Sequence, residues 1–400
     1  MNIENNQNPE QSHLMWVYPD SLFEALDSAT WLDTTNELRK LGWRVTLVSA
    51  GPPGKNSIRD IEITCVSQPN IYFFRQVIFH IRLLQIILQD FTNIDIILFH
   101  QMSAPWLLPL RLFRRFTGHL HPLLVMDTRT VPMTKATWKD QLRAWFYNLM
   151  NGFANLWADG QTAITMRMAQ LVQIPPRQLW GTWPSGVNLD RFTLASETRI
   201  WPSNGEPLRL IYIGALYPER NLLALCEAVK QVSQNKMNII LTIIGKGPQR
   251  STLQEFANHT PRSIQILSPV PHDQMPRVLS DHHIGVLPFP DRQIFRVSSP
   301  VKLFEYMASG MPILATRISC HTDVIGDEDF IFWTKDSTTE GLYEALCKIS
   351  DSSASLKYKS ISATKAAQAF SWQQSAIKLS DSLERGGILC RQIGIQLSPY

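Results

Sequence analysis

Short apolar runs alternate along the chain with longer stretches in which apolar residues recur at helical spacing. Apolar runs of about four to eight residues, bounded by turn residues, are typical of buried strands. The pattern predicts strands over residues 43–49, 94–99, 123–126, 208–213, 237–244, 264–267, 284–287 and 311–315. Helical patterns fill most of the intervals. This alternation predicts an α/β protein whose parallel sheets are covered by helices on both faces.

The first helix is predicted to begin at Ser21. Ser21 and Glu24 have the spacing of a capping box, in which two side chains satisfy free backbone N–H groups of the first turn. Apolar residues follow at helical spacing, and Gly42 is placed to end the helix.

Turn-forming residues cluster near the middle of the chain, at 182–192 and again at 196–207. The chain has 400 residues, which is more than one hydrophobic core usually organises. We therefore expect two doubly wound domains with a cleft between them. Such folds bind ligands at the carboxyl ends of their strands.

The composition is that of a globular protein, with 44% hydrophobic and 18% charged residues. The net charge of +4 allows an anionic ligand or an anionic membrane surface, but it does not indicate the dense basic face that binds nucleic acid. The five cysteines include no C-x-x-C spacing, which fits a reducing compartment and argues against a disulfide framework or a zinc site.

Two features bear on location. Residues 1–13 have neither the basic nor the apolar region of a signal peptide. The most apolar long segment, 71–91, is interrupted by Arg75, His80 and Arg82, so it is not predicted to span a membrane. A cytoplasmic protein is expected.

A cation is predicted at the start of a short helix in "SSPVKLFEYMASGMPILAT" (298–316). Ser299 suits the N-cap and Pro300 the first helical position, which puts Lys302 in the first turn and Glu305 one turn on, opposite the core-facing residues. A cation there opposes the helix dipole by roughly 0.3–1 kcal/mol. Lys302 and Glu305 form either an ordinary ion pair or part of an anion site.

A second cation recurs in the same kind of place. In "LIYIGALYPERN" (210–221), a strand leads through Gly214 into a helix predicted to begin near Pro218, with Arg220 in its first turn. Two helix N-termini that each carry a cation suit a doubly charged anion such as a diphosphate. No Walker-type phosphate loop is present, and the Gly-Lys-Gly at 245–247 is interpreted as a turn.

An ordered series of segments in the second half of the chain resembles a known family. They are, in chain order, WPSGVNLDRF, YIGALYPERN, LTIIGKGP, ILSPVPHDQMPRVL, HIGVLPFP, SPVKLFEYMASGMPILAT and AAQAFSWQQSAIKL. Together they resemble retaining glycosyltransferases of the GT-B fold, of the family 4 (group 1) type. The similarity is strong over 183–385 and weaker before it.

The resemblance implies a domain division. An N-terminal Rossmann-like domain on the acceptor side would cover 1–190, and a Rossmann-like nucleotide-sugar donor domain would cover 191–375. The tail at 376–400 would be a helix that packs back on the first domain.

The resemblance also implies site residues. Glu305 matches the second glutamate of the family's paired-glutamate motif, which holds the donor ribose, and Arg220 matches the basic residue that binds the diphosphate. Lys302 would supply a second charge, and His100 matches a histidine near the transferred sugar. The implied catalytic residues are Arg220, Lys302 and His100. The implied donor-binding residues are Gly214, Arg220, Val270, Ser299, Pro300, Val301, Lys302 and Glu305.

The sequence departs from the family pattern at three places. The first glutamate of the motif is replaced by Val297, and Ala215 replaces the arginine that often follows the donor-loop glycine. In the first domain, Pro19-Asp20-Ser21 stands where a glycine-rich loop should follow the first strand.

Three candidate residues of the first domain keep two interpretations. His100 is either a buried core histidine or a ligand to the sugar. Asp127 and Arg129, at the end of another strand, either meet the acceptor or form an internal pair. The sequence offers no convincing metal site, and Asp327-Glu328-Asp329 reads as a solvated turn.

A membrane contact is one of two interpretations of "APWLLPLRLFRRF" (104–116). Arg111, Arg114 and Arg115 stand among apolar and aromatic residues on a predicted amphipathic helix, which suits an anionic bilayer surface. The alternative is an ordinary covering helix with solvated arginines.

The expected function is hexosyl transfer from a nucleotide diphosphate sugar to the hydroxyl of a glycan or lipid-linked acceptor, with retention and without a cofactor or metal. Two alternatives stay open. One is a GT-B scaffold that has lost catalysis and binds a nucleotide or a partner protein, and the other is a sugar-nucleotide epimerase.

Overall fold

The computed structural model describes residues 11–23, 28–69, 71–132, 137–203, 205–235 and 238–397. The chain divides into two compact units, the first comprising Met1–Pro184 and Trp372–Tyr400 and the second Ser185–Ser371. Residues 185–190, which the sequence placed in the first domain, lie in unit 2, because the Ser185 amide donates to Ser299 Oγ and the Val187 amide to the Phe370 carbonyl.

Unit 1 contains a sheet of eight strands. The strands are β1 (His13–Ser21), β2 (Arg44–Ala50), β3 (Gly54–Ile58), β4 (Ile61–Val66), β5 (Ile96–His100), β6 (Leu123–Thr128), β7 (Gly160–Ala163) and β8 (Leu179–Thr182). Their order is β3-β4-β2-β1-β5-β6-β7-β8, and only β3 runs antiparallel to its neighbour. The switch point of this sheet lies between β1 and β5, because β2 and β4 lie on one side of it and β6, β7 and β8 on the other.

Helices cover both faces of this sheet. They are α1 (Ala29–Lys40), α2 (Tyr72–Gln89), α3 (Ala104–Thr117), α4 (Trp138–Trp157), α5 (Met166–Leu171) and, from the end of the chain, α15 (Trp372–Leu397). One core cluster joins the sheet to α1 and α15, and the other joins it to α2, α3 and α4. The return of α15 to unit 1 confirms the crossing back expected for the last helix, and Trp43 Nε1 donates to Ser380 Oγ at 2.8 Å.

Unit 2 contains a parallel sheet of six strands. The strands are β9 (Leu208–Ile213), β10 (Ile239–Ile244), β11 (Ile264–Leu267), β12 (Ile284–Leu287), β13 (Ile313–Thr316) and β14 (Ile331–Thr334). The order β11-β10-β9-β12-β13-β14 is that of a doubly wound fold with its switch point between β9 and β12.

The helices of unit 2 connect these strands. They are α6 (Leu189–Thr198), α7 (Leu222–Gln234), α8 (Arg250–His259), α9 (Met275–Ser280), α10 (Gln293–Arg296), α11 (Val301–Ala308), α12 (Ser319–Ile325), α13 (Thr339–Asp351) and α14 (Leu356–Ala367). In neither unit do the described residues include a helix both long and apolar enough to cross a bilayer.

The start of the chain differs from its prediction. Ser21 ends β1 instead of capping a helix, so Pro19-Asp20-Ser21 is strand and not loop. Glu24 lies outside the described residues. Helix α1 begins after Ser28, which makes no side-chain capping bond. Strand β1 continues beyond its apolar residues to Ser21 because the Ser49 hydroxyl donates to the Asp20 carbonyl and accepts from the Leu22 amide.

Candidate functional site

The candidate site of unit 2 lies at the carboxyl end of β9. The chain turns at Gly214, whose amide donates to the Ile244 carbonyl at 3.0 Å. Gly245 allows this approach, since a Cβ there would lie 1.8 Å from the Gly214 carbonyl oxygen. A single 3-10 turn over Pro218–Arg220 and a left-handed Asn221 then separate the loop from α7. Arg220 therefore precedes α7, rather than occupying its first turn as predicted.

The Arg220 guanidinium packs against two aromatic rings that follow β12 and stack on each other at 5.1 Å. Its Cζ is 4.3 Å from the centre of the Phe289 ring and 4.8 Å from that of Phe295. Burial lowers the pKa of Arg220 from its ordinary value. Its Nε is buried, and among the described residues no acceptor is bonded to it and no carboxylate forms an ion pair with the guanidinium. Arg220 is thus a half-buried cation that packs against ring faces.

His321, which sequence reasoning missed, adds a polar atom beside this cation. Its Nδ1 donates to the Thr316 carbonyl at 2.8 Å, and its ring lies 5.5 Å from that of Phe289. Burial, together with the charge of Arg220, lowers the pKa of His321 to about 4. His321 is therefore a neutral imidazole at neutral pH. A buried histidine in a short helix carries no sequence signal that separates it from a core residue.

Tyr306 fixes helix α11 against the sheet at the same switch point. Its hydroxyl accepts from the Ile213 amide at 3.1 Å and donates to the Ile211 carbonyl at 3.3 Å. Gly285 on β12 makes room for the ring, which a Cβ would approach to 2.4 Å. The tyrosine thus binds α11 to the end of β9, and the neighbouring Glu305 is positioned with it.

Glu305 is the centre of an ionic cluster. Its side chain is 2% exposed, and its two carboxylate oxygens lie 2.7 Å from Lys302 Nζ and 2.9 Å from His272 Nε2. Burial alone would raise the pKa of Glu305, but the charge of Lys302 and the bond from His272 outweigh it and hold the pKa at about 2. The carboxylate is therefore ionised, and it is buried although the sequence pattern placed it opposite the core-facing residues of its helix.

His272 is oriented by a further cation. Arg191 Nη1 lies 3.1 Å from His272 Nδ1, and because a guanidinium can only donate, Nδ1 accepts and Nε2–H donates to Glu305. Sequence reasoning missed His272. The only signal was its place, two residues after Val270 in the segment that resembles the base-contacting loop.

Unit 1 contains a separate cavity of about 840 Å³ at its own switch point. The ends of β1 and β5 line it, and so do residues of α4. The charged and titratable groups in its wall include His100, Asp127, Arg129, Lys139 and Arg143. Aromatic side chains supply much of the remaining lining, among them Trp16, Tyr18, Trp31, Trp138, Phe146 and Tyr147.

Asp127 and Arg129 belong to an internal network around Trp183. Asp127 Oδ1 accepts from Thr162 Oγ1 at 2.7 Å and from Trp183 Nε1 at 3.0 Å. Arg129 lies 3.6 Å above the Trp183 ring and 4.0 Å from Asp127. Burial raises the pKa of Asp127, against the opposing charge of Arg129 and the two hydrogen bonds. The internal pair is observed, and both residues still line the cavity.

Two family models match the chain, one in each half. Residues 28–191 match the model described as Glycosyltransferase Family 4, and residues 207–352 match Glycosyl transferases group 1. The chain is a family 4 glycosyltransferase. No curated protein sequence matches it.

Solved structures share the GT-B fold of this glycosyltransferase. Sucrose-phosphate synthase from Thermosynechococcus elongatus aligns with a TM-score of 0.73 at 15% identity, covering 96% of this chain and 99% of that one. HepE of Anabaena, in complex with UDP-glucose, gives 0.68 at 13%, with 93% and 99% covered. WaaG, a glycosyltransferase involved in lipopolysaccharide biosynthesis, gives 0.67 at 13%, with 92% and 98% covered. The expected fold is confirmed.

The remaining predicted donor residues of the glycosyltransferase lie at the start of α11 and in the loops that follow β9 and β11. Helix α11 begins at Val301 with Pro300 as its cap residue, and Ser299 does not cap it. The Ser299 hydroxyl instead accepts from the Ser185 amide at 3.1 Å. Gly214, Val270, Pro300 and Val301 are half-buried.

His100 ends β5 beside Asp127 on β6 and accepts a long hydrogen bond of 3.4 Å at Nδ1 from the Met102 amide. Burial lowers the pKa of His100 to about 4. The histidine is thus a neutral group in the cavity wall. Within the described ranges of the glycosyltransferase, no three His, Cys, Asp or Glu side chains group as metal ligands would.

Proposed function

We propose that this glycosyltransferase moves a hexosyl group from a nucleoside diphosphate sugar to an acceptor hydroxyl, with the donor bound at the β9–β12 switch point of unit 2. The environment of the Arg220 guanidinium is the observation on which the proposal rests. A guanidinium that is partly shielded from water and packs against rings costs free energy, unless an anion completes its coordination. A diphosphate supplies paired oxygen acceptors, which a planar guanidinium can bind through two parallel N–H groups.

The Lys302–Glu305–His272 cluster supports a role at the donor ribose. An ionised carboxylate has about four lone-pair directions, of which Lys302 and His272 occupy two. The remaining two suit the pair of ribose hydroxyls. Lys302 keeps further N–H bonds for phosphate, since its ammonium has three donors and one is directed at Glu305.

The proposed mechanism keeps the anomeric configuration and needs no metal. As the sugar–phosphate bond breaks, negative charge develops on the departing diphosphate, and Arg220, Lys302 and the first amides of α11 would stabilise it. The acceptor hydroxyl attacks the anomeric carbon on the face that the nucleotide leaves, and its proton passes to a phosphate oxygen. The sugar is transferred to the acceptor oxygen, the proton goes to phosphate and the diphosphate leaves, so no side-chain nucleophile is needed. This agrees with the presence of Val297, which is not a nucleophile, shortly before α11.

The acceptor is proposed to bind in the unit 1 cavity, where His100, Asp127 and Arg129 lie. Its aromatic lining suits a sugar or lipid-linked acceptor with an apolar face. UDP-glucose, the ligand of the HepE structure, is the first donor to test. We also place the protein in the cytoplasm, with a peripheral contact at the membrane surface.

A calorimetric titration with UDP, GDP and ADP tests the donor site without any knowledge of the acceptor. We expect one nucleotide to bind, and Arg220→Ala to weaken it at least about tenfold, since charge-assisted hydrogen bonds contribute roughly 1.5–3 kcal/mol. Arg262→Ala is the matched control, because Arg262 is an exposed arginine of the same unit at the amino end of β11. If no nucleotide binds, or if both variants bind alike, the donor-site assignment fails.

Catalysis is tested separately, because a scaffold that has lost activity would also bind nucleotide. The enzyme should release UDP from UDP-glucose when acceptor is supplied, and release should persist in excess chelator. Nucleotide binding without any turnover would favour the scaffold, for which Val297 in place of the first motif glutamate is the supporting observation.

A further inference from the structure

The outer side of the α2–α3–α4 layer of unit 1 is unusually apolar. The described residues include 25 exposed large apolar side chains, and 14 of them fall between Ile71 and Leu156. The inner sides of the three helices share one core cluster with the sheet. His80 on α2 stacks on Trp106 of α3 at 5.1 Å, so the helices also contact one another. We call this outer side the outer helical face.

Helix α4 shows that these exposures are organised. Trp138, Leu142, Trp145, Leu149 and Leu156 are spaced by three, four or seven residues and form one exposed stripe, with Trp138 69% and Leu156 81% exposed. The stripe lies on the opposite side of the helix from its buried residues, which are Ala144, Tyr147, Met150, Asn151, Ala154 and Trp157. A surface helix needs one apolar side for the core, and α4 has two.

The neighbouring helices continue the face. On α2, Ile81 and Leu88 are half exposed and stand one heptad apart. On α3, Leu112 is exposed and Phe116 is 87% exposed. Monomeric soluble proteins rarely leave contiguous apolar surface of this extent in water, and where they do it marks a binding surface.

The charges of these helices favour one occupant. Residues 72–89, 104–117 and 138–157 contain seven arginines and lysines and one acid, Asp140, and two of the seven, Arg111 and Arg114, pair with Asp159. That acid is already engaged as the N3 residue of the α4 capping box with Thr137. Lys139 and Arg143 flank the α4 stripe and are exposed, as is Arg115 on α3. A second copy docked by a two-fold axis would bring this basic surface against itself.

We propose that the outer helical face binds the surface of an anionic lipid bilayer, with the α4 stripe inserted among the headgroups. Tryptophan and leucine beside basic residues are the composition that binds at this interface. The face is continuous with the unit 1 cavity, because Trp138, Leu142 and Phe146 belong to both. The bilayer would thus present a membrane-bound acceptor to that cavity, a consequence that rests on the proposed function.

This assignment moves the contact away from the arginines that the sequence had singled out. Arg114 is bidentate to Asp159, at 2.6 and 2.7 Å, and is nearly buried, and Arg111 lies 3.7 Å from the same carboxylate. Reversing the charges of all three α3 arginines would therefore damage the fold. Only Arg115 is fully exposed.

Vesicle sedimentation of the full chain tests the proposal. We expect binding to vesicles of phosphatidylcholine with phosphatidylglycerol, weaker binding to phosphatidylcholine alone, and weakening as salt rises. The variant Trp145→Ser, Leu149→Ser, Leu156→Ser should lower the partition coefficient at least about tenfold. None of the three residues lines the cavity. Arg115→Gln should lower it about fivefold, the equivalent of ~1 kcal/mol per cation.

The matched control is Leu194→Ser, Tyr358→Ser, Ile361→Ser, which removes three similarly exposed apolar residues from helices of unit 2. It should leave vesicle binding unchanged. Absence of wild-type binding at low salt would overturn the proposal, as would equal binding by the two triple variants. Concentration-dependent dimers of the wild type that the α4 variant abolishes would assign the face to self-association instead. Nucleotide titration of the same variants separates these outcomes from a failure of the donor site.

Discussion

The ionic cluster at Glu305 gives the sharpest stability prediction. In Glu305→Gln the amide keeps the shape of the side chain but replaces one acceptor oxygen with an NH2 group, so either Lys302 or His272 faces a donor instead of an acceptor. The pKa of Glu305 falls from an ordinary 4.5 to about 2 in the folded protein. At about 1.36 kcal/mol per pKa unit, ionisation of this group contributes roughly 3 kcal/mol. We expect the free energy of unfolding of unit 2 to fall by about that amount at pH 7.

The control is a second helical pair of the same spacing. Glu227 and Lys230 are also three residues apart in unit 2, at 3.3 Å, but their side chains are 36% and 38% exposed. Exposed pairs of this kind contribute only about 0.2–0.5 kcal/mol. Glu227→Gln should therefore change stability very little.

Urea unfolding followed by tryptophan fluorescence and circular dichroism measures both variants. Because the folded pKa of Glu305 is depressed, its contribution is complete above pH 4.5 and is lost as the pH falls towards 2. The difference between wild type and Glu305→Gln should shrink over that interval. Equal losses in Glu305→Gln and Glu227→Gln, or a difference that does not vary with pH, would show that burial does not govern the strength of the pair.

Three further predictions concern catalysis, acid stability and the α3 arginines. Lys302→Ala should lower turnover on the order of 10²–10³-fold in a UDP-release assay, as for one preorganised charge-stabilising donor, and full turnover would contradict its role. Burial lowers the pKa of His283 and of His321 to about 4, so each costs about 2 kcal/mol of stability at pH 5 relative to pH 7; a melting temperature that is constant between these pH values would refute this. Arg114→Ala should lower the free energy of unfolding by about 3 kcal/mol by removing the bidentate partner of the Asp159 carboxylate, whereas Arg115→Ala should change it by less than about 0.5 kcal/mol; similar urea midpoints for the two variants would exclude the difference.

Local pattern was sufficient for the strands that carry the donor site. The runs over 208–213, 264–267 and 284–287 coincide with β9, β11 and β12, because buried parallel strands are continuously apolar. The sequence did not predict β3, whose polar residues lie at a sheet edge, or β7, whose polar side chains are buried. Their pairing is decided by partners distant in the chain.

The candidate site, like the fold, could be predicted only in part from the sequence. Lys302 and Glu305 could be found because their spacing is local, but helical periodicity placed Glu305 opposite the core-facing residues and did not predict its burial. Its burial depends on His272, which is 33 residues away in sequence and bonds to it across the sheet edge. The environment of Arg220 likewise depends on rings supplied after a different strand. Pairwise contacts of this length leave no trace in a single sequence.

The return of α15 has a consequence for synthesis. One core of unit 1 is completed by Ala376, Leu379 and Leu383, and Trp43 bonds to Ser380 across 337 positions of chain. On a ribosome, all of unit 2 is made before those residues exist. Unit 2 has its own continuous segment and can fold in the meantime, whereas unit 1 must wait with one face of its sheet covered only in part, by α1. We expect chaperone dependence and aggregation in the nascent chain to originate in the first unit synthesised, which is the last to be completed.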